Sequence, residues 1–294
     1  MPPIPALLAA AEAPSLAVSL WHAVVLGVVQ GLTEFLPISS TAHLKVVPLL
    51  LGWDDPGVAL TAVIQLGSIL AVLAYFRDDL IGVVRAISRA FRDGRWSDPS
   101  ARLGVAIALG TLPIILAGMA LKLWFPGYEH SAVRGIPSIA VVSIVMALLL
   151  AVAELVGSRR RRLEAVRPRD GLLVGLAQAL ALVPGVSRSG STLTASLFDG
   201  WERAAAARFS FLLGIPAITL AGLVEVKDAL HESAGGGLLP TLVGVAVAAV
   251  VSWLAIAWLL RFLQNNSTWI FVIYRLLFGL VLLIWFRDLG AAHP

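Results

Sequence analysis

The chain has 294 residues, of which 59% are hydrophobic and only 14% are charged, and its mean hydropathy is +0.89. Soluble domains carry about 25% charged residues, so this composition excludes an ordinary soluble protein and indicates an integral membrane protein. The absence of cysteine excludes disulfides and thiolate chemistry. The net charge is only +4, and we expect no nucleic-acid partner.

The first hydrophobic window, residues 22–51, is broken near its middle by Pro37 and by the polar stretch TEFLPISSTAHL at 33–44. Each half is too short to cross a bilayer, which takes about 20 residues. Non-helical backbone at membrane depth is tolerated only where protein or a watery cavity satisfies its polar groups. The window therefore predicts a re-entrant helical hairpin that lines a cavity.

Three apolar spans follow this window, and three more follow a second broken window. The six spans cover about 57–76, 103–123, 136–156, 204–224, 236–260 and 268–286. Arginine is concentrated in the segments 77–102 and 158–169, which we interpret as loops. The positive-inside rule places both loops in the cytoplasm, so the first span runs from the outside inwards.

The second broken window, residues 171–198, is interrupted at Pro184-Gly185. Because three spans separate the two windows, the second one begins on the opposite side of the membrane from the first. The tips of two such hairpins would meet inside the bilayer. The window predicts a second re-entrant hairpin of inverted orientation.

An internal repeat is visible when the sequence is shifted by 148 residues. The shift superposes Gly27 on Gly175, Gln30 on Gln178, Ser39 on Ser187 and Thr41 on Ser189. Inverted repeats of this kind place a functional site near the midplane. We therefore predict an all-α polytopic membrane protein with six spanning helices and two re-entrant hairpins. Its two repeats, 1–157 and 158–294, form one membrane domain.

Glu34 is the only carboxylate in the first broken window. A carboxylate inside a membrane is costly and marks a functional site by default. The alternative interpretation is a structural ion pair with Arg188 or Arg275. Gln30 lies one helical turn earlier on the same face, where its amide could bind a metal or a phosphate, or could join two helices by a hydrogen bond.

Ser40 and His43 are three residues apart and are expected on one helix face. A hydroxyl beside an imidazole is the minimum of an activated nucleophile. The alternative for His43 is a polar helix residue with satisfied hydrogen bonds. For Ser39 and Thr41 we favour a capping role, because hydroxyl side chains are preferred at helix N-termini.

Arg188 is the only charge in the second broken window and lies in the stretch PGVSRSGST at 184–192. The guanidinium group offers five donors in a fork that fits phosphate oxygens, and free N–H groups at a helix start add to such a site. The tip therefore predicts an anion site, with a counter-ion to Glu34 as the alternative. Arg275 in the last span could reach this site or could pair with Glu154.

The two polar tips carry a family resemblance. QGLTEFLPISSTAHL at 30–44 and PGVSRSGST at 184–192 closely resemble the two signature motifs of the undecaprenyl-diphosphate phosphatase family, which are bacterial membrane enzymes associated with bacitracin resistance. The resemblance covers the whole chain, including YRLLFG near its end. It implies removal of the terminal phosphate from undecaprenyl diphosphate at the outer face of the bacterial inner membrane, with Mg²⁺ or Ca²⁺ as cofactor. The product is the lipid carrier for peptidoglycan synthesis.

The resemblance also implies residue roles. Glu34 matches an acidic residue implicated in metal use or catalysis, Ser40 matches the proposed nucleophile, and His43 matches an essential histidine. Arg188 matches the phosphate-binding arginine of the second motif. Other members carry a second glutamate where this chain has Gln30, which argues against a metal site with two carboxylates. Contacts to the substrate are expected from Gln30, Ser39, Thr41, Ser187, Ser189 and Gly190.

A secondary transporter or prenyl-phosphate flippase is the main alternative function, because inverted repeats and broken helices are generic to that class. The lipid phosphatases that use a nucleophilic histidine are disfavoured, because their Pro-Ser-Gly-His motif does not occur in the sequence. The expected partners are a prenyl diphosphate and membrane lipids, and a homodimer is left open.

Overall fold

The computed structural model describes four stretches of the chain: residues 16–53, 57–128, 131–231 and 238–292. These stretches form eleven α-helices and no strand longer than one isolated bridge. In chain order the helices are α1 Leu16–Phe35, α2 Ser40–Leu50, α3 Gly57–Tyr75, α4 Arg77–Asp93, α5 Pro99–Trp124, α6 Ile136–Val156, α7 Pro168–Ala179, α8 Arg188–Phe198, α9 Arg203–His231, α10 Leu238–Asn265 and α11 Trp269–Ala292.

Four described helices are long and apolar enough to cross a membrane, namely α5, α6, α10 and the Arg203–Val224 part of α9. Helices α3 and α4 add a fifth span if this pair, bent by 64°, is counted as one. Shorter apolar segments occur at Leu20–Phe35 in α1 and at Trp269–Trp285 in α11. The chain is therefore a nearly all-helical, multi-pass membrane protein, and the count of six spans stays a prediction.

The arginine-rich segment that follows the first span begins with a helix, α4, where the sequence analysis places a loop. Its buried alanines, Ala86 and Ala90, pack against Ala101 of α5, while the arginines on the other face are exposed. An apolar stripe at helical spacing opposite a charged face is typical of an amphipathic helix. Gly94, in the left-handed conformation with φ 69°, ends it.

Both broken windows are interrupted where the prolines predict. Helix α1 ends at Phe35, and α2 begins at Ser40 after Pro37. In the second window a 3₁₀ turn over Leu180–Leu182 follows α7, and α8 begins only at Arg188. Proline removes a backbone donor and disfavours helix for the residue before it, which explains why the chain leaves the helix at these points.

The outer ends of each broken window lie side by side. In the first window the ring of His22 in α1 lies 3.9 Å from the ring of Trp53, which follows α2. In the second window the guanidinium group of Arg161 bonds both Asp170 at the start of α7 and Asp199 just after α8. The two ends of each window therefore lie close together in the fold.

The first helix of each window packs closely on a helix from the other half of the chain. Helix α1 lies on α10, where a Cβ on Gly27 would come within 2.7 Å of the carbonyl oxygen of Gly244. Helix α7 lies on α5, where a Cβ on Gly175 would overlap the backbone of Gly110. Small residues allow such close backbone approach between membrane helices. In both cases a helix of one half of the chain packs on a helix of the other half.

Candidate active site

Side chains from the two breaks meet at one cavity. The hydroxyl of Ser189 donates to the carbonyl oxygen of Leu36 at 3.0 Å, and Nη2 of Arg188 donates to Oε1 of Glu34 at 3.2 Å. The cavity has a volume of about 200 Å³. Both windows contribute polar side chains to its wall: Thr33, Glu34, Ser39, Ser40 and Thr41 from the first, and Ser187 and Arg188 from the second.

Two serines begin α2 and α8 with the same backbone conformation. Ser39 has φ 80° and Ser187 has φ 68°, a region that residues other than glycine rarely adopt. Each hydroxyl accepts a hydrogen bond from the N–H three residues later, at Ala42 and Gly190 respectively. The capping prediction is confirmed for Ser39, whereas Thr41 lies within the helix. The first N–H groups of a helix have no partner within the helix and attract anions, and residues at the starts of α2 and α8 line the cavity.

Glu34 is the polar centre of the cavity and is buried. Its Oε1 accepts from Arg188, and its Oε2 accepts from Ser40 at 2.8 Å and from the amide of Gln30 at 3.2 Å. Breaking a buried charge pair is costly because one charge is left uncompensated. The ion pair proposed as the structural alternative is therefore present, and it lies directly beside the Ser40 hydroxyl.

Arg188 keeps part of its hydrogen-bonding capacity unused. Its side chain is 9% exposed, and Nε and Nη1 are buried without an acceptor among the described residues. The guanidinium group lies so close to α9 that a Cβ on Gly214 would overlap Nη1. Buried donors without partners are rare in proteins. Arg188 lines the cavity, and its planar guanidinium group is suited to phosphate oxygens.

His43 is held away from Ser40. Its Nδ1 lies 2.7 Å from the carbonyl oxygen of Ser39, its Nε2 lies 2.6 Å from the hydroxyl of Tyr274, and its ring stacks on Phe278 at 4.4 Å. Since a carbonyl can only accept, the neutral ring carries its proton on Nδ1 and accepts from Tyr274. Ser40 and His43 do not bond each other. Tyr274 of α11 bonds the imidazole, and the Ser40 hydroxyl donates to Glu34 of α1.

The predicted substrate contacts divide into two groups. Ser39, Thr41 and Ser187 line the cavity. The other three have structural partners instead: Ser189 bonds the first window, Gly190 packs against Arg275, and Gln30 joins α1 to α3 through Ser68 at 3.4 Å. The buried Oε1 of Gln30 accepts no hydrogen bond from the described residues.

Gln65 of α3 also lines the cavity, together with Thr33. The motifs in the sequence give no role to Gln65. It is the only amide in the predicted span 57–76. That isolation in an apolar span is a signal that could have identified it. Its half-buried side chain is a polar group close to where Glu34 and Arg188 meet.

Arg275 fastens the two breaks to each other. It is 1% exposed and donates to the carbonyl oxygens of Pro37 at 3.1 Å and Val186 at 3.0 Å. A further bond of 2.6 Å reaches Gly185. The alternative pairing with Glu154 is wrong, because that carboxylate is bound by Arg203 and Thr268.

A family model described as "Bacitracin resistance protein BacA" matches residues 23–281 of the chain. Similar proteins named "Undecaprenyl-diphosphatase" occur in several marine cyanobacteria. The protein of Synechococcus sp. (strain WH7803) is 67% identical over 282 residues, covering 96% of this chain and 99% of that protein. The protein of Prochlorococcus marinus (strain MIT 9313) is 71% identical over 265 residues, covering 90% and 89%. That of Synechococcus sp. (strain CC9605) is 71% identical over 272 residues, covering 92% and 95%.

The Arg275 network predicts a stability effect. Arg275→Met leaves backbone carbonyls of both breaks unsatisfied and should lower the free energy of unfolding by about 2 kcal/mol or more. Arg275→Lys keeps the charge and some of the hydrogen bonds, so its free energy of unfolding should lie between those of the wild type and Arg275→Met. Thermal unfolding of the purified protein in detergent measures the effect. The matched control, Arg261→Met, alters an exposed arginine of α10 and should match the wild type. Equal midpoints for Arg275→Met and wild type would contradict the clamp.

Proposed function

The chain belongs to the family of bacitracin resistance protein BacA, and on this premise we propose that it hydrolyses undecaprenyl diphosphate to undecaprenyl phosphate and inorganic phosphate. This is the activity named for relatives that are 67–71% identical. Hydrolysis renews the lipid carrier for cell-wall synthesis and thereby confers resistance to bacitracin. The structural observation that carries the proposal is the cavity that Glu34, Ser40 and Arg188 line together, in which Arg188 bonds Glu34 and has two nitrogens without an acceptor among the described residues.

The cavity supports binding of a diphosphate through positive charge and N–H donors. Arg188 would hold the terminal phosphoryl group and stabilise its charge during transfer. The starts of α2 and α8 add backbone N–H groups and the positive ends of two helix dipoles. Phosphoryl transfer depends mainly on positioning and charge neutralisation, so this small set of groups is sufficient.

The chemical step uses Ser40 or a water beside it. The attacking oxygen forms a bond to the terminal phosphorus while the bond from that phosphorus to the bridging oxygen breaks. Undecaprenyl phosphate leaves with the bridging oxygen, and the proton of the attacking hydroxyl passes to Glu34, which already accepts from Ser40 at 2.8 Å. If Ser40 attacks, water then cleaves the phosphoserine and releases inorganic phosphate.

His43 acts as a positioning residue in this proposal. Its Nδ1–H bonds the carbonyl oxygen of Ser39, the residue directly before Ser40, and Tyr274 fixes the ring from the other side. For the imidazole to transfer the proton itself, its Nε2 would first have to break the hydrogen bond to Tyr274. Fixing the Ser39 backbone orients both the start of α2 and the Ser40 hydroxyl.

A divalent cation, Mg²⁺ or Ca²⁺, is proposed as cofactor. Among the described residues no group of three histidine, aspartate or glutamate side chains could hold a metal. Mg²⁺, however, is usually bound by one or two carboxylates together with substrate phosphates. Glu34 supplies one carboxylate at the cavity wall, so a cation there would be shared between Glu34 and the oxygens of the diphosphate. When bound, the cation would offset the negative charge of the substrate.

The predicted architecture is proposed in full: two inverted repeats, 1–157 and 158–294, six spans and two re-entrant hairpins. Three observations support it. The break residues Ser39 and Ser187 share one unusual conformation, the outer ends of each window lie together, and α1–α10 packing mirrors α7–α5 packing.

The cavity is proposed to open to the outer side of the membrane. The arginine-rich segments 77–102 and 158–169 favour a cytoplasmic start for α9. Ala221, which lines the cavity and is exposed, lies eighteen residues beyond Arg203, or about 27 Å along the helix axis. This distance approaches the hydrocarbon thickness of about 30 Å and supports an opening near the outer surface.

Activity should depend on Arg188 and His43. In detergent micelles Arg188→Ala should lower kcat/KM for phosphate release from a prenyl diphosphate by about 10²-fold or more. Arg188→Lys should recover only part of the loss, because lysine lacks the guanidinium fork. His43→Ala should also abolish most activity, since it frees the Ser39 carbonyl.

The matched control for these variants is Arg261→Ala, which removes an exposed arginine far along the sequence from both breaks. Near wild-type turnover in Arg188→Ala or His43→Ala would refute the assignment. Release of no phosphate by the wild type, in micelles without any gradient, would favour the transporter alternative. Ser40→Ala separates the two attacks, because retained activity indicates direct attack by water.

Removal of divalent cations should abolish phosphate release. Treatment with a chelator should stop phosphate release, and Mg²⁺ or Ca²⁺ in excess should restore it, because the single positive charge of Arg188 does not offset the negative charge of a diphosphate. Glu34→Gln should lower kcat, because it removes the proton acceptor, and should also need more cation for half-maximal activity. Sodium chloride at equal ionic strength controls for screening, and full activity after chelation would argue against a cation.

Single cysteines test the orientation, because the native chain has none. Val133→Cys lies between α5 and α6, and Arg160→Cys lies between α6 and α7. A membrane-impermeant maleimide should label position 133 in intact cells and position 160 only after permeabilisation. The reverse pattern would place the cavity opening on the cytoplasmic side.

A further inference from the structure

The cavity has an apolar wall that the chemistry of the headgroup does not use. Residues of α5, of α9 and of the second break form it: Ile114, Ala181, Leu182, Val183, Ala217 and Ala221. Ala217 is buried and Ala221 is exposed. The two alanines lie one helical turn apart, about 6 Å along α9. The wall therefore runs from the Arg188 side of the cavity to the surface of the protein.

The residue sizes on α9 separate this face from its neighbours. The positions that project elsewhere on the same turn, Leu220 and Leu223, are large and 48% and 61% exposed. The cavity face carries Ala217, Ile218 and Ala221, and the two alanines leave room beside the helix. A proline stands directly before the lining residue in both walls, at Pro113 in α5 and Pro216 in α9. Each proline removes a helical hydrogen bond and favours a local bend.

The ligand is indicated by the polar end of the same cavity. The side chain of Arg188 is nine-tenths buried, and two of its nitrogens lack an acceptor among the described residues. If an anion with a linear apolar chain binds at Arg188, the attached chain can lie along the apolar wall. Burial of apolar surface is favourable in proportion to its area, so a chain that follows the wall adds affinity that a free phosphate lacks.

We propose that the isoprenoid chain of the substrate leaves the headgroup cavity along Ala217 and Ala221 of α9, opposite Ile114 and Leu182. Ala221 sets the width of this exit and thereby selects for an attached prenyl chain. The proposal rests on the phosphatase function proposed above and adds the route and a specificity-determining residue. The tail continues from the exposed Ala221 into the surrounding lipid.

Cysteine protection tests the route without turnover. In Ala221→Cys the thiol is the only one in the chain, and its reaction with N-ethylmaleimide can be followed in micelles. A non-hydrolysable farnesyl diphosphonate should slow labelling at least about fivefold, whereas methylene diphosphonate without a tail should leave it unchanged. Leu223→Cys, on the exposed side of α9, is the matched control and should be labelled equally in both cases.

A size increase tests the selectivity. Ala221→Trp should raise the KM for farnesyl diphosphate about tenfold, because the indole would occupy the space proposed for the prenyl chain, and should leave kcat within about twofold, because the headgroup site is unchanged. Leu223→Trp should behave like the wild type. An unchanged KM in Ala221→Trp would overturn the route.

The remaining outcomes separate this proposal from the phosphatase function. Absence of protection at position 221, under conditions where the farnesyl analogue blocks phosphate release, overturns the route and leaves the phosphatase function standing. Equal protection by phosphatidic acid overturns the selectivity for an isoprenoid chain. If the wild type releases no phosphate and the analogue protects nothing, the phosphatase function fails, and this inference fails with it.

Discussion

The site depends on one buried cation that joins two interrupted helices. The backbone of both breaks is buried at Pro37, Gly185 and Val186, and buried carbonyl groups without donors are costly. Arg275 supplies donors to Pro37, Gly185 and Val186, so one side chain satisfies groups from both halves of the chain. The remaining polar groups at the breaks are then held in place, and their geometry can serve a reaction.

The Glu34–Arg188 pair shows how such a site can be stable without substrate and still bind it. Two charges inside a membrane protein are tolerated when each compensates the other. Within the part of the chain that the structure describes, two donor nitrogens of Arg188 have no acceptor, which leaves an unsatisfied demand for negative charge. A diphosphate meets that demand, and the neighbouring Ser40 hydroxyl is already directed at Glu34.

The functional residues differ in how far local sequence reveals them. Prolines and polar residues in apolar windows mark the breaks, and the Ser39 cap follows from helix-start chemistry within a few residues. The hydrogen-bond partners of Ser40 and His43 are harder to predict, because two residues on one face of a short helix can form hydrogen bonds to different neighbouring helices. Helix α1 binds Ser40, and α11 binds His43.

The membrane class, the two broken windows and the residues at their tips follow from the amino-acid sequence, because composition, proline positions and motif spacing are local properties of the chain. The packed structure was needed to show that Arg275 binds backbone carbonyls instead of Glu154, that Gln65 lines the cavity, and that two alanines of α9 continue the cavity to the protein surface. These features depend on which helix faces meet after packing. In apolar helices with little amphipathic contrast, periodicity does not specify those faces.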